Sequence, residues 1–150
     1  MHFVGWGPKE LSPSEDIVAY CNEVAKETGA VLEFGEDLAL LKGADVIYTD
    51  IWVSMGEEAK LAERVKQLAP YKVTSKVMAA TENPKCLFMH CLPAYHDFET
   101  LTAQHCKEEG YDIREVDDDV FRSKQSVVFD EAENRMHTIK AVMVATLGNQ

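Results

Sequence analysis

The chain has 150 residues, of which 46% are hydrophobic and 27% are charged. This length and balance predict one folded domain with a core of its own and exclude an extensively disordered chain. The formal net charge of -11 is opposite in sign to that of a general nucleic-acid or anionic-membrane binder. We therefore expect neither a nucleic-acid partner nor a membrane partner.

The N-terminal residues and the cysteines favour a reducing compartment. The sequence begins Met-His-Phe-Val-Gly-Trp-Gly and lacks the basic segment and apolar run of a signal peptide. No window approaches the roughly 18 apolar residues of a membrane-spanning helix. The cysteines form no Cys-x-x-Cys pair, which predicts four reduced, mostly buried thiols in a cytoplasmic protein. They are Cys21, Cys86, Cys91 and Cys106.

The first part of the chain predicts two short strands around a helix. Residues 3–4 form an extended segment, and residues 30–34 form the second strand. Between them, Ser12 as the N-cap and Glu15 as its capping-box partner open a helix. Gly29 closes that helix as a C-cap.

The middle of the chain alternates strands and helices. Residues 46–49 are β-branched or aromatic and predict a buried strand. A second capping box, Ser54 with Glu57, predicts a helix that Pro70 ends. A further strand is expected at residues 86–89. Shorter helical turns are expected at residues 37–42 and 75–80.

The last part of the chain predicts a helix at residues 97–109 and a short strand at residues 113–116. We expect the acidic run 117–119 to be solvated surface, because no calcium-loop pattern surrounds it. A long terminal helix starts near Asp130 and has an apolar stripe. The stripe consists of Ala132, Met136, Ile139, Met143 and Leu147.

The order of these elements predicts an α/β fold. Short strands separated by amphipathic helices indicate a doubly wound, mostly parallel sheet with helices on both faces, which is a Rossmann-like architecture. We find no repeat or linker, so the sequence predicts one domain over residues 1–150. Ligands bind beyond the carboxyl ends of the strands in such sheets.

Reactive side chains stand at two predicted strand ends and in the last helix. Asp50 and Ser54 follow one strand, Cys91 follows the next, and Arg135 lies in the first turns of the terminal helix. Each also has an explanation without a ligand. Asp50 can cap a turn, Ser54 can be only an N-cap, and Cys91 can be a buried apolar residue. Arg135 can pair with Glu131, one turn away on its own helix.

Together these residues suit a zwitterionic amino acid. Asp50 offers a carboxylate to an ammonium group, and a helix opening at Ser54 offers free backbone N–H groups to an anion. Arg135 adds a donor fork for a carbonyl or phosphate oxygen. Cys91 is either a nucleophile or a polar residue that lines the binding site. Neighbours on a strand point to opposite faces, which argues against a simple couple of His90 with Cys91.

Three segments, in the same order, carry a resemblance to a known family. They read Asp-Ile-Trp-Val-Ser-Met-Gly at residues 50–56, Phe-Met-His-Cys-Leu-Pro-Ala at residues 88–94, and Glu-Asn-Arg-Met-His-Thr-Ile-Lys-Ala at residues 133–141. The chain resembles the C-terminal, ornithine-binding domain of the ornithine carbamoyltransferases, within the aspartate/ornithine carbamoyltransferase family.

The resemblance implies transfer of the carbamoyl group from carbamoyl phosphate to L-ornithine, which gives L-citrulline and phosphate. It implies no metal and no organic cofactor. By resemblance, Asp50, Ser54 and Met55 would hold the amino-acid end of ornithine. Full-length family members are homo-oligomers, usually trimers, in the cytosol or in organelles.

The resemblance also implies roles at the reacting centre. Cys91 would line that centre without forming a covalent intermediate, because the amine attacks directly. The Leu92 carbonyl would contact the carbamoyl amino group. Arg135 would polarise the carbamoyl oxygen as charge develops there.

The sequence departs from the family pattern by lacking the motifs of the carbamoyl-phosphate domain and the first strand of the second domain. We therefore expect a domain incomplete at its N-terminus, with two exposed strand edges and exposed apolar helix faces. We expect it to rearrange or to associate with another copy, and to have negligible activity alone. The alternatives are a sister carbamoyltransferase for another amine such as putrescine, and a non-catalytic fragment or interaction module.

Overall fold

The computed structural model describes residues 1–53 and 56–148. Two pairs of parallel strands form its sheets. Strand β1 (His2–Trp6) pairs with β2 (Val31–Gly35), and β3 (Val46–Thr49) pairs with β4 (Leu87–His90). The predicted α/β class with parallel strands is confirmed.

Six α-helices connect and flank these strands in the described part of the chain. They are α1 (Glu15–Thr28), α2 (Leu61–Leu68), α3 (Ser75–Ala80), α4 (Leu101–Glu108), α5 (Asp118–Phe121) and α6 (Val128–Leu147). Short 3-10 helices lie at Lys9–Leu11, Leu38–Leu41, Glu58–Lys60 and Ala69–Tyr71. None of the helices that the structure describes is long and apolar enough to cross a membrane.

The expected strand edges are present. Within the described ranges, β1 pairs only with β2, and β3 pairs only with β4. Residues of both β1 and β3 line one cavity of about 710 Å³. The two edges therefore border the same space, and their backbone groups are open to further pairing.

The main core is built around β3 and β4. Phe88 is 0% exposed and packs with residues of α3, α5 and the first turn of α6. This core contains Leu41, Ile47, Val73, Val77, Met78, Cys86, Phe88, Val116, Val120, Phe121 and Val128. A smaller cluster of Ala103, Cys106 and Ile113 lies under α4. The expectation of buried thiols is confirmed for Cys86 and Cys106, whereas Cys21 is half-buried and Cys91 is exposed.

The apolar stripe of α6 faces outward. Met136, Ile139, Met143 and Leu147 are 49–62% exposed, and within α6 only Val128 is buried. Helix α1 also has no buried residue. These observations confirm the expectation of exposed apolar helix faces.

The predicted capping box at Ser12 was wrong as a helix start. Helix α1 begins at Glu15 with Ser14 at its N-cap, because Pro13 disfavours a helical conformation at Ser12. Ser54, the N-cap of the second predicted capping box, lies outside the described residues, and the first helical turn described after it is the 3-10 helix Glu58–Lys60. Gly56 has φ +87°, a left-handed conformation that glycine adopts without strain.

Two predicted elements in the last third of the chain, a helix and a strand, were too long. Helix α4 starts at Leu101, because the Thr100 hydroxyl accepts a hydrogen bond from the Ala103 N–H at 3.2 Å and caps it there. The predicted strand at residues 113–116 is reduced to a single bridge between Val73 and Val116. Local sequence patterns predicted the kind of secondary structure in these segments better than they predicted its length.

Candidate active site

The ends of β3 and β4 bring Asp50 and Cys91 into contact. Thr49 and His90 are partners in the parallel register, so the residues that follow them emerge side by side. The Cys91 Sγ donates a hydrogen bond to Asp50 Oδ1 at 2.9 Å. The Ile51 N–H donates to the same oxygen at 2.7 Å. A strand-end carboxylate is thus held in place by a thiol and a backbone amide.

The environment of Cys91 favours the protonated thiol. Although Cys91 is exposed as a residue, partial desolvation of its thiol, the hydrogen bond to Asp50 and the negative charge of Asp50 raise its pKa to about 11. A thiol with this pKa is almost entirely protonated at neutral pH, whereas the nucleophilic form is the thiolate. The site therefore presents Cys91 as a hydrogen-bond donor and disfavours the nucleophile alternative.

His90 is not available as a base for Cys91. Its Nδ1 lies 4.0 Å from the Cys91 Sγ and already accepts a hydrogen bond from the Leu92 N–H at 2.9 Å. We assign the ring proton to Nε2 from these partners. Nε2 then donates to Glu115 Oε1 at 3.0 Å.

Glu115 is a residue that sequence reasoning missed. Both Glu115 and His90 have fully buried side chains. Glu115 Oε1 also accepts from the Tyr95 N–H at 2.6 Å, while its Oε2 has no partner among the described residues. No local pattern marks this contact, since the two side chains are 25 residues apart and neither stands in a motif with the other.

The network of His90 and Glu115 supports the turn that carries Leu92. Leu92 has φ +49°, a left-handed conformation unusual for a branched side chain, and precedes a cis peptide bond to Pro93. Hydrogen bonds on both sides of this turn, from the amides of Leu92 and Tyr95, hold it. The orientation of the Leu92 carbonyl thus depends on buried side chains.

Arg135 lines the same small cavity as Cys91. The cavity has a volume of about 290 Å³, and its lining includes Tyr48, His90, Cys91, Glu131 and Arg135. The alternative that Arg135 pairs with Glu131 is not observed within the residues described. Glu131 Oε2 instead accepts a hydrogen bond from the His90 N–H at 3.2 Å.

Ser54 and Met55, the other two predicted binding residues, lie outside the described residues. Their neighbours Ile51 and Trp52 line the 710 Å³ cavity together with Asp50. The structure therefore brings Asp50, Cys91, Leu92 and Arg135 to one region, and it places the segment that leads to Ser54 beside it.

The acidic run lies at the surface, and its side chains have partners. Asp118 Oδ1 lies 2.7 Å from His96 Nδ1 and 2.8 Å from Arg122 Nε. His96, Asp97 and Asp118 lie close enough together to hold a metal ion. However, Arg122 Nη2 also lies 3.4 Å from Asp97 Oδ2. The guanidinium already balances these carboxylates, so the geometry gives no independent support for a metal.

An α/β domain with polar side chains gathered beyond the carboxyl ends of parallel strands is a small-molecule-binding domain of the doubly wound class. The family model described as the Asp/Orn binding domain of aspartate/ornithine carbamoyltransferase matches residues 1–146. The chain belongs to this family.

Individual relatives agree with this assignment. The chain is 62% identical over 151 residues to the catabolic ornithine carbamoyltransferase of Clostridium perfringens, covering 99% of this chain and 46% of that protein. The anabolic ornithine carbamoyltransferase of Campylobacter jejuni superposes with a TM-score of 0.80 at 30% identity, over 99% of this chain and 44% of that one. The enzyme of Pyrococcus furiosus gives 0.77 at 37% identity, over 98% and 42%. The chain thus spans about half the length of these relatives.

Proposed function

We propose that this chain forms the ornithine-binding side of the active site of an ornithine carbamoyltransferase. The complete enzyme would transfer the carbamoyl group of carbamoyl phosphate to the side-chain amine of L-ornithine, giving L-citrulline and phosphate. The observation that carries the proposal is the contact between Asp50 and the protonated Cys91, beside a cavity that Arg135 also lines. The name of the Clostridium perfringens relative supports the choice of ornithine.

The proposed mechanism depends on the carboxylate of Asp50 and on the protonated thiol of Cys91. Asp50 binds the α-ammonium group of ornithine, with Ser54 and Met55 next to the amino-acid end. Cys91 remains a thiol at the reacting centre, because its raised pKa of about 11 keeps it protonated. The attacking group is then the substrate amine, and no covalent bond to the protein is needed.

Two further groups act on the carbamoyl group. Arg135 stabilises the negative charge that develops on the carbamoyl oxygen when the amine attacks. The Leu92 carbonyl accepts a hydrogen bond from the carbamoyl amino group. The buried pair of His90 and Glu115 keeps that carbonyl in place through the turn.

A chimera tests this function directly. The chain replaces the matching 46% of the Clostridium perfringens enzyme, and citrulline formation is measured with ornithine and carbamoyl phosphate. We expect turnover in the ordinary range for enzymes, about 1–1000 per second, and negligible turnover by the 150-residue chain alone. Asp50→Asn in the chimera is expected to weaken ornithine binding.

The same assay separates the alternatives. Carbamoylation of putrescine in place of ornithine would show a sister transferase. A folded chimera that carbamoylates neither amine would overturn the enzyme proposal and favour a non-catalytic module. Citrulline formation by the 150-residue chain alone, at an enzymatic rate, would contradict the need for a second half.

We also propose that the protein is cytoplasmic and homo-oligomeric. The four free cysteines support a reducing compartment. The exposed apolar side chains on α1 and α6 support association, because contiguous apolar surface is costly to leave in water. Size-exclusion chromatography with light scattering should give a mass above that of one 16.8 kDa chain. A stable, well-ordered monomer would contradict association.

A further inference from the structure

The terminal helix α6 carries Arg135 but has little contact with the rest of the chain. Val128 is 1% exposed and belongs to the core, whereas every later described residue of α6 except Glu131 is exposed. Arg135 lies almost two turns beyond Val128. Its place over the cavity therefore depends on what fixes the intervening turn.

Residues 125–127 fix where α6 begins. The Phe88 N–H donates to the Gln125 carbonyl at 2.8 Å, and the Val127 N–H donates to the Phe88 carbonyl at 3.0 Å. These bonds run along one edge of β4, and the segment then turns into the helix. They set the start of α6, but a helix held only at its start can still tilt or rotate.

Glu131 continues that row of hydrogen bonds with its side chain. His90 is two residues beyond Phe88, so its N–H points to the same edge of β4. This N–H donates to Glu131 Oε2 at 3.2 Å, where a further strand residue would otherwise offer a carbonyl. Since His90 is 1% exposed, losing this acceptor would leave a buried N–H unsatisfied.

Glu131 also reaches β3. Its side chain and that of Tyr48 line the same cavity, and partial desolvation, hydrogen bonding to Glu131 and the charge of Glu131 raise the pKa of Tyr48 to about 12. One carboxylate on α6 thus contacts the ends of both β3 and β4. Residues four apart on a helix lie on the same face, about one turn from each other. Arg135 is the residue four positions after Glu131, and both line the cavity with Cys91.

We propose that Glu131 is a positioning residue, which holds the second turn of α6 against the ends of β3 and β4 and so directs Arg135 into the cavity that Cys91 lines. This proposal rests on the proposed function for its catalytic consequence. It assigns Glu131 no contact with the reacting atoms. Its effect on the reaction passes entirely through Arg135.

Two substitutions at one position separate geometry from charge. Glu131→Gln keeps an acceptor for the His90 N–H, and its amide can still hydrogen-bond Tyr48, whose hydroxyl both donates and accepts. Glu131→Ala removes both contacts. Glu133→Ala is the matched control, because it removes an exposed carboxylate from the same helix at a position two residues later.

In the chimera, we expect Glu131→Ala to lower kcat about 10- to 100-fold, since a displacement of about 1 Å can have that effect. The loss should appear equally in kcat/KM for ornithine, as for an interaction made only in the transition state. Glu131→Gln should stay within about threefold of the unsubstituted chimera, and Glu133→Ala within about twofold, because neither disturbs the geometry. NMR of labelled tyrosine should show a lower pKa for Tyr48 in both Glu131 variants.

Several results would overturn the proposal. They are a kcat within threefold for Glu131→Ala, a loss in Glu131→Gln as large as in Glu131→Ala, and an equal loss in Glu133→Ala.

If the unsubstituted chimera is inactive, the proposed function fails, and hydrogen exchange in the 150-residue chain decides the anchoring separately. Faster exchange at residues 132–138 in Glu131→Ala, but not in Glu131→Gln, supports the anchor. Unchanged exchange refutes it.

Discussion

The two parallel strand pairs have the same type of hydrogen-bonded register but very different surroundings. In the pair of β3 and β4, Ile47 is 8% exposed and Phe88 is 0% exposed. The pair of β1 and β2 contains no buried residue. Strand pairing alone therefore does not make a core; the helices packed against β3 and β4 do.

Each pair also contributes to a contact between a histidine and a glutamate. His2 and Glu33 lie 2.6 Å apart, with side chains 55% and 45% exposed. His90 and Glu115 lie 3.0 Å apart and are both fully buried. The shorter contact is the less consequential one, because water screens a surface pair, whereas a buried polar group has no substitute partner.

The largest expected effect concerns the core of the β3 and β4 pair. Phe88→Ala should lower the free energy of unfolding by about 3–5 kcal/mol, because it leaves a cavity in a close-packed core. Phe3→Ala is the matched substitution in β1, where Phe3 is 45% exposed, and should cost about 1 kcal/mol or less. Urea denaturation followed by circular dichroism measures both. Equal losses would mean that the two pairs are equally important for stability.

The next largest effect is expected from removing the buried Glu115, in comparison with the exposed Glu33. Glu115→Ala should lower the free energy of unfolding by about 2–3 kcal/mol, because the His90 Nε2–H and the Tyr95 N–H lose their acceptor. Glu33→Ala should cost about 1 kcal/mol or less, as for an exposed pair. A Glu115→Ala protein as stable as the Glu33→Ala protein would show that water satisfies both donors.

A smaller effect is expected on thiol reactivity at the ends of β3 and β4. Asp50→Asn removes a hydrogen-bonded charge that raises the pKa of Cys91, so the pKa should fall from about 11 but stay above its ordinary value because of the remaining partial desolvation. A fall of about one unit gives about tenfold more thiolate at pH 8. The rate of alkylation by iodoacetamide measures this change. In the unsubstituted protein the rate should rise with pH up to about 11, and an unchanged rate in Asp50→Asn would contradict the coupling.

The smallest change in the free energy of unfolding is expected for a substitution on the exposed face of α6. Met136 is 60% exposed, and Met136→Ala should change the free energy of unfolding by about 0.5 kcal/mol or less. Met78 is 7% exposed in the main core, and the same substitution there is a positive control. If the loss at Met136 grows with protein concentration, α6 contacts a second copy, and its stripe is then a core shared between chains.

The sequence predicted those elements best whose local pattern and tertiary setting agree. Residues 46–49 and 75–80 were predicted as a strand and a helical turn, and they match β3 and α3. The Ser12 capping box failed because a neighbouring proline outweighed its side-chain pattern. The stripe of α6 was visible in the sequence, but periodicity only indicates that one face is apolar and does not identify what covers it.

The residues of the candidate site also divide into those that a local pattern identified and those that only tertiary contacts reveal. Asp50, Cys91 and Arg135 stood out because they follow strands or open a helix, where ligands bind in this fold class. Glu115 and Glu131 did not, because their importance comes from partners 25 and 41 residues away. A residue that acts through another is recognisable only when the distance between them is known.

The sequence by itself determined the α/β class, the family motifs and the residues offered to a ligand, because each depends on local order along the chain. Only the tertiary structure decided which of these residues meet and in which protonation state they meet. The Asp50 contact keeps Cys91 a thiol, and the buried pair of His90 and Glu115 supports the Leu92 turn. Burial and distance determine both outcomes, because desolvation and hydrogen bonding act through space rather than along the sequence.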